Sequence, residues 1–140
     1  MSEAQTKLPA TAEVKGGAVV YLQVDGATKA AAFYERAFGA RIVAAHPVDD
    51  QGRTMHIHLH VNGSSLMLGD FYPAHGHPKV APQGFSVVLP VDDIDAWWAR
   101  AVEAGAQVTM PVSVMFWGDR HGQLRDAFGV TWALNETKPR

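Results

Sequence analysis

The chain of 140 residues contains no cysteine, which excludes a disulfide framework, a thiolate nucleophile and a zinc site built on cysteine ligands. It also has no excess of basic residues, because 12 lysines and arginines face 14 aspartates and glutamates, for a formal net charge of −2. Without a basic stripe we expect no nucleic-acid partner. The sequence has no glycine-rich phosphate loop, no Ser–His–Asp order and no nucleotide-binding fingerprint.

Long hydrophobic runs are missing as well. The longest fully apolar runs are about five residues, well short of the roughly 20 that a membrane-spanning helix needs. Residues 1–15 contain no apolar stretch of the kind that marks a secretory signal. With 47% apolar and 19% charged residues the composition is that of one globular domain. We therefore expect a cytoplasmic protein without a membrane partner.

The first half of the chain has the pattern of one strand, one helix and three further strands. Residues 18–24 are rich in β-branched and aromatic side chains, which favours a buried strand. A helix is predicted from Thr28, whose hydroxyl should cap it, to Phe38, with Gly39 at the left-handed C-terminal position. Asn62-Gly63 is a strong signal for a two-residue hairpin turn. The remaining strands of this half are predicted over residues 41–45, 55–61 and 65–69.

The same order returns in the second half. A helix capped by Asp92 or Asp93 and ended by Gly105 follows a predicted strand over residues 84–91. Gly39-Ala40 recurs as Gly105-Ala106, as expected of an internal repeat. Three strands complete the repeat, over residues 107–109, 117–125 and 130–135.

These patterns predict an α+β protein of two βαβββ modules, in which a curled mixed sheet surrounds a cavity. Each module has one helix to cover one face of its sheet, so the other face is left to enclose a ligand. The predicted organisation is a flexible tail (1–17), a first module (18–74), a linker (75–83), a second module (84–135) and a second tail (136–140).

Several segments resemble the vicinal oxygen chelate superfamily, which includes glyoxalase I, bleomycin resistance proteins and extradiol dioxygenases, and its PhnB-like branch in particular. The resemblance covers residues 18–135, although Ala127 stands where the branch usually has proline. It implies the glyoxalase/bleomycin resistance fold, a small organic ligand and a homodimer, and open edge strands in each module also favour association. The segments are YLQVD (21–25), AFYERAFGA (32–40), NGSSLML (62–68), FWGDRHG (116–122) and DAFGVTW (126–132).

The metal enzymes of that superfamily place one histidine or glutamate on each of four inner strands. The resemblance carries these positions onto Val19, Met67, Ser86 and Ala133. None of these side chains offers an imidazole or a carboxylate to a divalent ion. We therefore expect no metal at this site and no other cofactor.

Three histidines alternate with apolar residues in the predicted strand 55–61, so His56, His58 and His60 lie on one face. The hairpin register places His58 opposite Met67, on the side expected to face the cavity. They could be polar wall residues. His58 or His60 could also act as a general acid–base, since an imidazole titrates near neutral pH. A divalent metal shared by the three histidines is a further alternative.

The predicted strand 117–125 begins with aromatic and basic residues. Phe116-Trp117 and Arg120-His121 could form a cavity wall, with an aromatic stacking surface and a cationic anchor for an anionic or planar ligand. The structural alternative is a packed tryptophan and an ion pair between Asp119 and Arg120. The candidate ligand-binding residues are Tyr21, His58, His60, Met67, Ser86, Trp117, Arg120 and His121.

The main hypothesis is a small-molecule-binding protein that lacks the usual metal ligands and sequesters an aromatic or planar compound. The alternative is a glyoxalase-like lyase or isomerase that uses His58 or His60 as acid–base, or a relocated divalent metal. The linker histidines His75 and His77 are interpreted as surface residues.

Overall fold

The computed structural model describes residues 8–137, and the chain divides into two compact units. The first comprises residues 8–35 and 39–80, and the second comprises residues 36–38 and 81–137. The ends of both predicted tails, residues 1–7 and 138–140, lie outside the described residues. Neither helix of the described chain is long and apolar enough to cross a membrane.

One helix and a four-stranded mixed sheet make up the first βαβββ repeat. Its strand order is β1-β4-β3-β2, with β1 parallel to β4 and the other neighbours antiparallel. A short 3₁₀ helix, Pro73–His75, follows the last strand. The elements are β1 (Val20–Val24), α1 (Ala27–Phe38), β2 (Arg41–Ala45), β3 (Ile57–Val61) and β4 (Ser64–Asp70).

The second repeat has the same order, so the predicted α+β class and the internal repeat are confirmed. Its sheet has the strand order β5-β8-β7-β6, again with one parallel pair, β5 with β8. The elements are β5 (Val87–Val91), α2 (Ile94–Ala104), β6 (Gln107–Val114), β7 (Arg120–Arg125) and β8 (Thr131–Glu136).

Strand lengths differ from the prediction in the second unit. β6 extends to Val114 rather than ending at residue 109, with irregular pairing between Val108 and Ser113. β7 begins at Arg120 rather than at residue 117, because residues 115–118 form a turn closed by the hydrogen bond from the Gly118 N–H to the Met115 carbonyl. Trp117 therefore lies in this turn and not in a strand.

The start of α1 corrects one prediction. The helix begins at Ala27, and its N-cap is Gly26 in a left-handed conformation, with no side-chain cap from its own segment. Thr28 therefore does not cap it. Asp70 at the end of β4 takes this role, because its Oδ1 accepts from the N–H groups of Gly26 (2.8 Å) and Ala27 (3.0 Å). A carboxylate at this position also favours the helix dipole.

The other predicted helix ends are confirmed. Asp93 caps α2 by accepting from the Ala96 N–H, and Gly39 and Gly105 end the two helices in the left-handed conformation. Burial alternates at the end of β1, as expected of a strand with one covered face. β3 and β4 also bury residues of the opposite face, including His58 and Ser65. The apolar core of the first unit includes Leu22, Val24, Leu59, Leu66 and Leu68, together with Ala30 and Tyr34 of α1.

Candidate functional site

The open face of the first sheet, opposite the core residues, carries most of the candidate residues of this unit. Tyr21 pairs with Met67 across β1 and β4, and Met67 pairs with His58 across β4 and β3. Directly paired residues share a face, so these three side chains form one row across the sheet. The predicted hairpin register and the shared face of His58 and Met67 are confirmed.

His58 is buried in this row, with 1% of its surface exposed. Its Nε2 lies 2.6 Å from the Ser65 hydroxyl oxygen, which also accepts from the Lys15 N–H at 2.8 Å. Burial lowers the pKa of His58, and the neighbouring His60 lowers it further. His58 is therefore a neutral, shielded imidazole at neutral pH.

The end of the face near His60 is crossed by the described part of the N-terminal segment. The carbonyl of Glu13 accepts from Nε2 of His60 at 2.9 Å. The carbonyl of Pro9 accepts from the Ala45 N–H at 3.0 Å, and Lys15 exchanges hydrogen bonds with Ser65, the strand residue beside His60. Residues 9–15 of the predicted tail are therefore hydrogen-bonded to the sheet. The flexibility predicted for residues 1–17 stays a prediction.

The histidine rings form a row rather than a cluster around one point. Ring centroids are 5.2 Å apart from His46 to His56, 6.5 Å from His56 to His58 and 5.2 Å from His58 to His60. Burial and the imidazoles of His46 and His58 lower the pKa of His56. Within residues 8–137, no group of three or more histidine, cysteine, aspartate or glutamate side chains is arranged to hold a metal ion.

Beyond the histidine row, the open face borders a cavity of about 300 Å³, which we call the Tyr21 cavity. Its apolar and aromatic lining is interrupted by a few polar groups, the usual composition of a small-molecule pocket. The lining residues are Tyr21, Gln23, Met55, Asp70, Tyr72 and His77.

The phenol ring of Tyr21 is held in position on the cavity wall. The His56 ring stacks against it, with 5.7 Å between the ring centroids and 26° between the ring planes. The Tyr21 hydroxyl donates a hydrogen bond to the Met55 carbonyl. Burial raises the pKa of Tyr21, so the hydroxyl keeps its proton. Gly69 makes this arrangement possible, because a Cβ there would lie 2.6 Å from the Met55 carbonyl oxygen. Tyr21 is nevertheless 44% exposed.

The polar side of the Tyr21 cavity joins β1 to the segment after β4. The amide nitrogen of Gln23 lies 2.6 Å from Nδ1 of His77. Tyr72 and His77 exchange two backbone hydrogen bonds, of 2.8 and 3.0 Å, around the 3₁₀ helix. This turn returns the chain to the sheet and places His77 in the wall. Both carboxylate oxygens of Asp70 already accept backbone hydrogen bonds. Oδ2 accepts from the Thr54 N–H at 2.8 Å, and Oδ1 caps α1.

A second cavity of about 400 Å³ lies next to the first, and we call it the Arg53 cavity. Asp49 and Arg53 form an ion pair there, with 3.1 Å between Oδ2 and Nε. The backbone N–H of Arg53 is the main cause of the lowered pKa of Asp49. Burial, followed by the charge of Asp49, raises the pKa of Tyr72. The lining residues are His46, Pro47, Val48, Asp49, Arg53, Met55 and Tyr72.

The remaining candidates lie in the second unit. Trp117 is 47% exposed in the turn before β7, and its ring lies 5.8 Å from that of His121 in an edge-to-face arrangement. Nδ1 of His121 is 3.0 Å from the side-chain oxygen of Asn135. Ser86, an exposed residue, directly precedes β5.

Arg120 does not share the surroundings of His121. Strand alternation directs neighbouring residues to opposite faces, and Arg120 forms a bidentate ion pair with Asp95 at the start of α2, at 2.8 and 2.9 Å. This pairing lowers the pKa of Asp95. Asp119 instead accepts from the side-chain amide of Asn135 at 2.9 Å. The guanidinium of Arg120, which was expected to anchor a ligand, is thus paired with Asp95 of α2.

The four positions that the resemblance assigns to metal ligands fall in pairs on the two units. Met67 lies half-buried on β4 and Ala133 is buried on β8, while Val19 and Ser86 directly precede β1 and β5. A methionine, an alanine, a valine and a serine supply neither imidazole nor carboxylate. This set of side chains does not fit a divalent ion.

Five residues of the Tyr21 cavity wall were not among the candidates predicted from the sequence. One of them is Asp70, at the end of β4. Gln23 was recognisable only as a neighbour of Tyr21 on the same face of β1. Met55 belongs to the wall because its carbonyl accepts from the Tyr21 hydroxyl. The only sequence feature related to this contact is Gly69, which leaves room for the carbonyl. Tyr72 and His77 depend on the turn after β4, which the sequence indicated only as a linker. His77 is half-buried, and it lines the cavity wall.

Comparisons with known proteins agree with this architecture. The model of the Glyoxalase/Bleomycin resistance protein/Dioxygenase superfamily matches residues 16–134. The uncharacterized protein Mb0911c of Mycobacterium bovis is 36% identical over 122 residues, which are 83% of this chain and 80% of the relative. The crystal structure of protein PA1353 from Pseudomonas aeruginosa has a TM-score of 0.72 and 30% identity, covering 89% of this chain and 99% of that one. A PhnB protein from Bacillus cereus shares the fold, with a TM-score of 0.64 and 23% identity over 87% of this chain and 100% of its own.

Proposed function

Because the chain belongs to the Glyoxalase/Bleomycin resistance protein/Dioxygenase superfamily, we propose that it binds and sequesters a small planar aromatic compound. The Tyr21 cavity is the binding site in this proposal. Shape and ring stacking hold the ligand, and the metal of the superfamily's enzymes has no part in it.

The observation that carries the proposal is the fixed and exposed ring of Tyr21. His56 supports one side of the ring, the Met55 carbonyl holds its hydroxyl, and 44% of the residue is open to solvent. An aromatic side chain that is already ordered loses little conformational entropy when a planar ligand stacks on it. Met55 in the same wall is 47% exposed, and Val48 in the wall of the adjacent Arg53 cavity is 56% exposed. Exposed apolar groups beside a cavity are typical of ligand-binding grooves.

Binding without metal chemistry is supported by the chemistry of the candidate ligands. Val19, Met67, Ser86 and Ala133 are poor donors for a divalent ion. Of the alternative ligands, His58 is buried and bonded to Ser65. These arguments favour a pocket that recognises its ligand by shape.

The test uses isothermal titration calorimetry with naphthalene-2-carboxamide, a planar and uncharged probe. We expect saturable binding at one site per chain, and Tyr21→Ala should weaken it about tenfold, since an aromatic pair contributes roughly 0.5–1.5 kcal/mol beyond area burial. The matched control is Phe116→Ala, which removes an aromatic ring that is 96% exposed in the second unit. Unchanged binding in Tyr21→Ala, or an equal loss in the control, would contradict the proposal.

The rival function is a lyase or isomerase reaction with His58 or His60 as acid–base. It has less support, since His58 is shielded and Nε2 of His60 is held by the Glu13 carbonyl. Mass spectrometry of bound compounds after incubation separates the two functions, because sequestration returns each compound unchanged. Conversion that disappears in His58→Gln would favour the enzyme.

We also propose a homodimer in the cytoplasm. β1 and β2 are the outer strands of the first sheet, and β5 and β6 are those of the second. Outer strands offer backbone groups to a partner. Light scattering coupled to size-exclusion chromatography should give twice the chain mass of 15.1 kDa, and a monomer at micromolar concentration would contradict this expectation.

A further inference from the structure

Arg53 is fixed in a way that a surface arginine seldom is. Its Nε lies 3.1 Å from Oδ2 of Asp49, and its guanidinium carbon lies 4.5 Å from the centre of the Tyr72 ring. The ion pair holds one edge of the guanidinium and the aromatic ring supports one face. Tyr72 is itself buried, so this support is part of the folded core of the unit.

The outer edge of this guanidinium is open. Within the described part of the chain, the two terminal nitrogens of Arg53 have no hydrogen-bond partner, while its Nε and backbone N–H both bond to Asp49. Asp49 is more fully engaged, because it also accepts from the Gln51 N–H at 2.9 Å and from the Tyr72 hydroxyl at 3.5 Å. The carboxylate is therefore occupied by the protein, and the guanidinium retains donors for another group.

Two parallel N–H donors on a planar, ordered guanidinium match a carboxylate in bidentate geometry. Such a group is a better anion receptor than a mobile surface lysine, because less side-chain entropy is lost on binding. His46, whose exposed ring also lines the Arg53 cavity, places a second polar group in the same wall.

Met55 and Tyr72 line both cavities, which makes them the border between the two. A planar molecule against Tyr21 that extends past this border enters the Arg53 cavity. Among the described residues, no lysine or arginine lines the Tyr21 cavity itself, where the charged residue is Asp70. The Arg53 cavity therefore favours the carboxylate of an aromatic acid, and the Tyr21 cavity favours its uncharged ring.

We infer that the ligand is an aromatic carboxylic acid, whose ring lies in the Tyr21 cavity and whose carboxylate binds the terminal nitrogens of Arg53. This inference rests on the proposed function, and it assigns to Arg53 the anchoring role that the sequence suggested for Arg120.

The experiment compares naphthalene-2-carboxylate with naphthalene-2-carboxamide by calorimetry, since the two probes share one ring system and differ in charge. The wild-type protein should bind the acid at least tenfold more tightly than the amide. Arg53→Gln should weaken binding of the acid about tenfold more than binding of the amide, and so remove this preference. Arg53→Lys should keep part of it, because the charge remains but the planar fork is lost. Added salt should reduce the preference in the wild-type protein.

Arg41→Gln is the matched control, because Arg41 is an exposed arginine of the same unit that lines neither cavity. This variant should retain the full preference for the acid. Equal affinities of the wild-type protein for acid and amide, or an unchanged preference in Arg53→Gln, would overturn the inference and leave the proposed function standing. Failure of the wild-type protein to bind either probe would overturn both.

Discussion

At the scale of single residues, two neighbours on one face have different roles. The alternating histidines at residues 56–60 are the most conspicuous feature of the sequence, yet His58 is buried and bonded to Ser65, which Lys15 of the N-terminal segment also contacts. Tyr21 lies on the same face and stays open at a cavity. Alternation along a strand predicts which residues share a face, but it does not predict which part of that face another segment covers.

The half-buried His56 and the buried His58 predict a loss of stability in acid. Because the pKa values of His56 and His58 are lowered in the folded protein, the unfolded chain binds more protons once the pH falls below about 6.5. The stabilising contribution of these neutral imidazoles is complete above that pH, and it is lost as the pH falls toward the folded pKa values. Mild acid should therefore destabilise the folded protein.

Urea unfolding at pH 7.5 and pH 5 measures this effect. The free energy of unfolding should be smaller at pH 5, and in His58→Gln the difference between the two pH values should shrink. Glutamine can still bond to Ser65 but does not titrate, and the variant at pH 7.5 provides the control for its structural cost. An equal pH difference in both proteins would rule out His58 as a source of the dependence.

At the scale of secondary-structure elements, the turns and helix ends that depend only on neighbouring residues were predicted correctly. The hairpin at Asn62-Gly63, the Asp93 cap and the glycine ends of both helices were all predictable from adjacent residues. The cap of α1 was not, because Asp70 is distant in sequence from Gly26 and reaches it only after β4 pairs with β1.

Removing this distant cap should cost more than removing a local one. Asp70→Ala leaves the N–H groups of Gly26, Ala27 and Thr54 without their acceptor, two of them in a buried setting. We expect the free energy of unfolding to fall by about 3 kcal/mol. Asp93→Ala, the exposed cap of α2, should cost about 1 kcal/mol. Chemical denaturation of both variants checks the order, and a cost for Asp70→Ala no larger than that for Asp93→Ala would contradict it.

At the scale of the whole molecule, the repeat of two βαβββ units was readable from the sequence because each repeat carries its own strand, helix and turn signals. The candidate site was only partly readable. Tyr21 was among the candidates, but Gln23 and His77, or Arg53 and Tyr72, meet through contacts between distant parts of the chain. Side chains brought together in this way leave no spacing pattern in the sequence.

The binding site is tested most directly by titrating ¹⁵N-labelled protein with naphthalene-2-carboxylate and following the amide shifts by nuclear magnetic resonance. We predict that the largest saturable changes in amide shifts fall within residues 21–23, 46–49, 53–56 and 69–77, around the two cavities of the first unit. Largest changes around Trp117 and His121 in the second unit, or no saturable change at all, would contradict it.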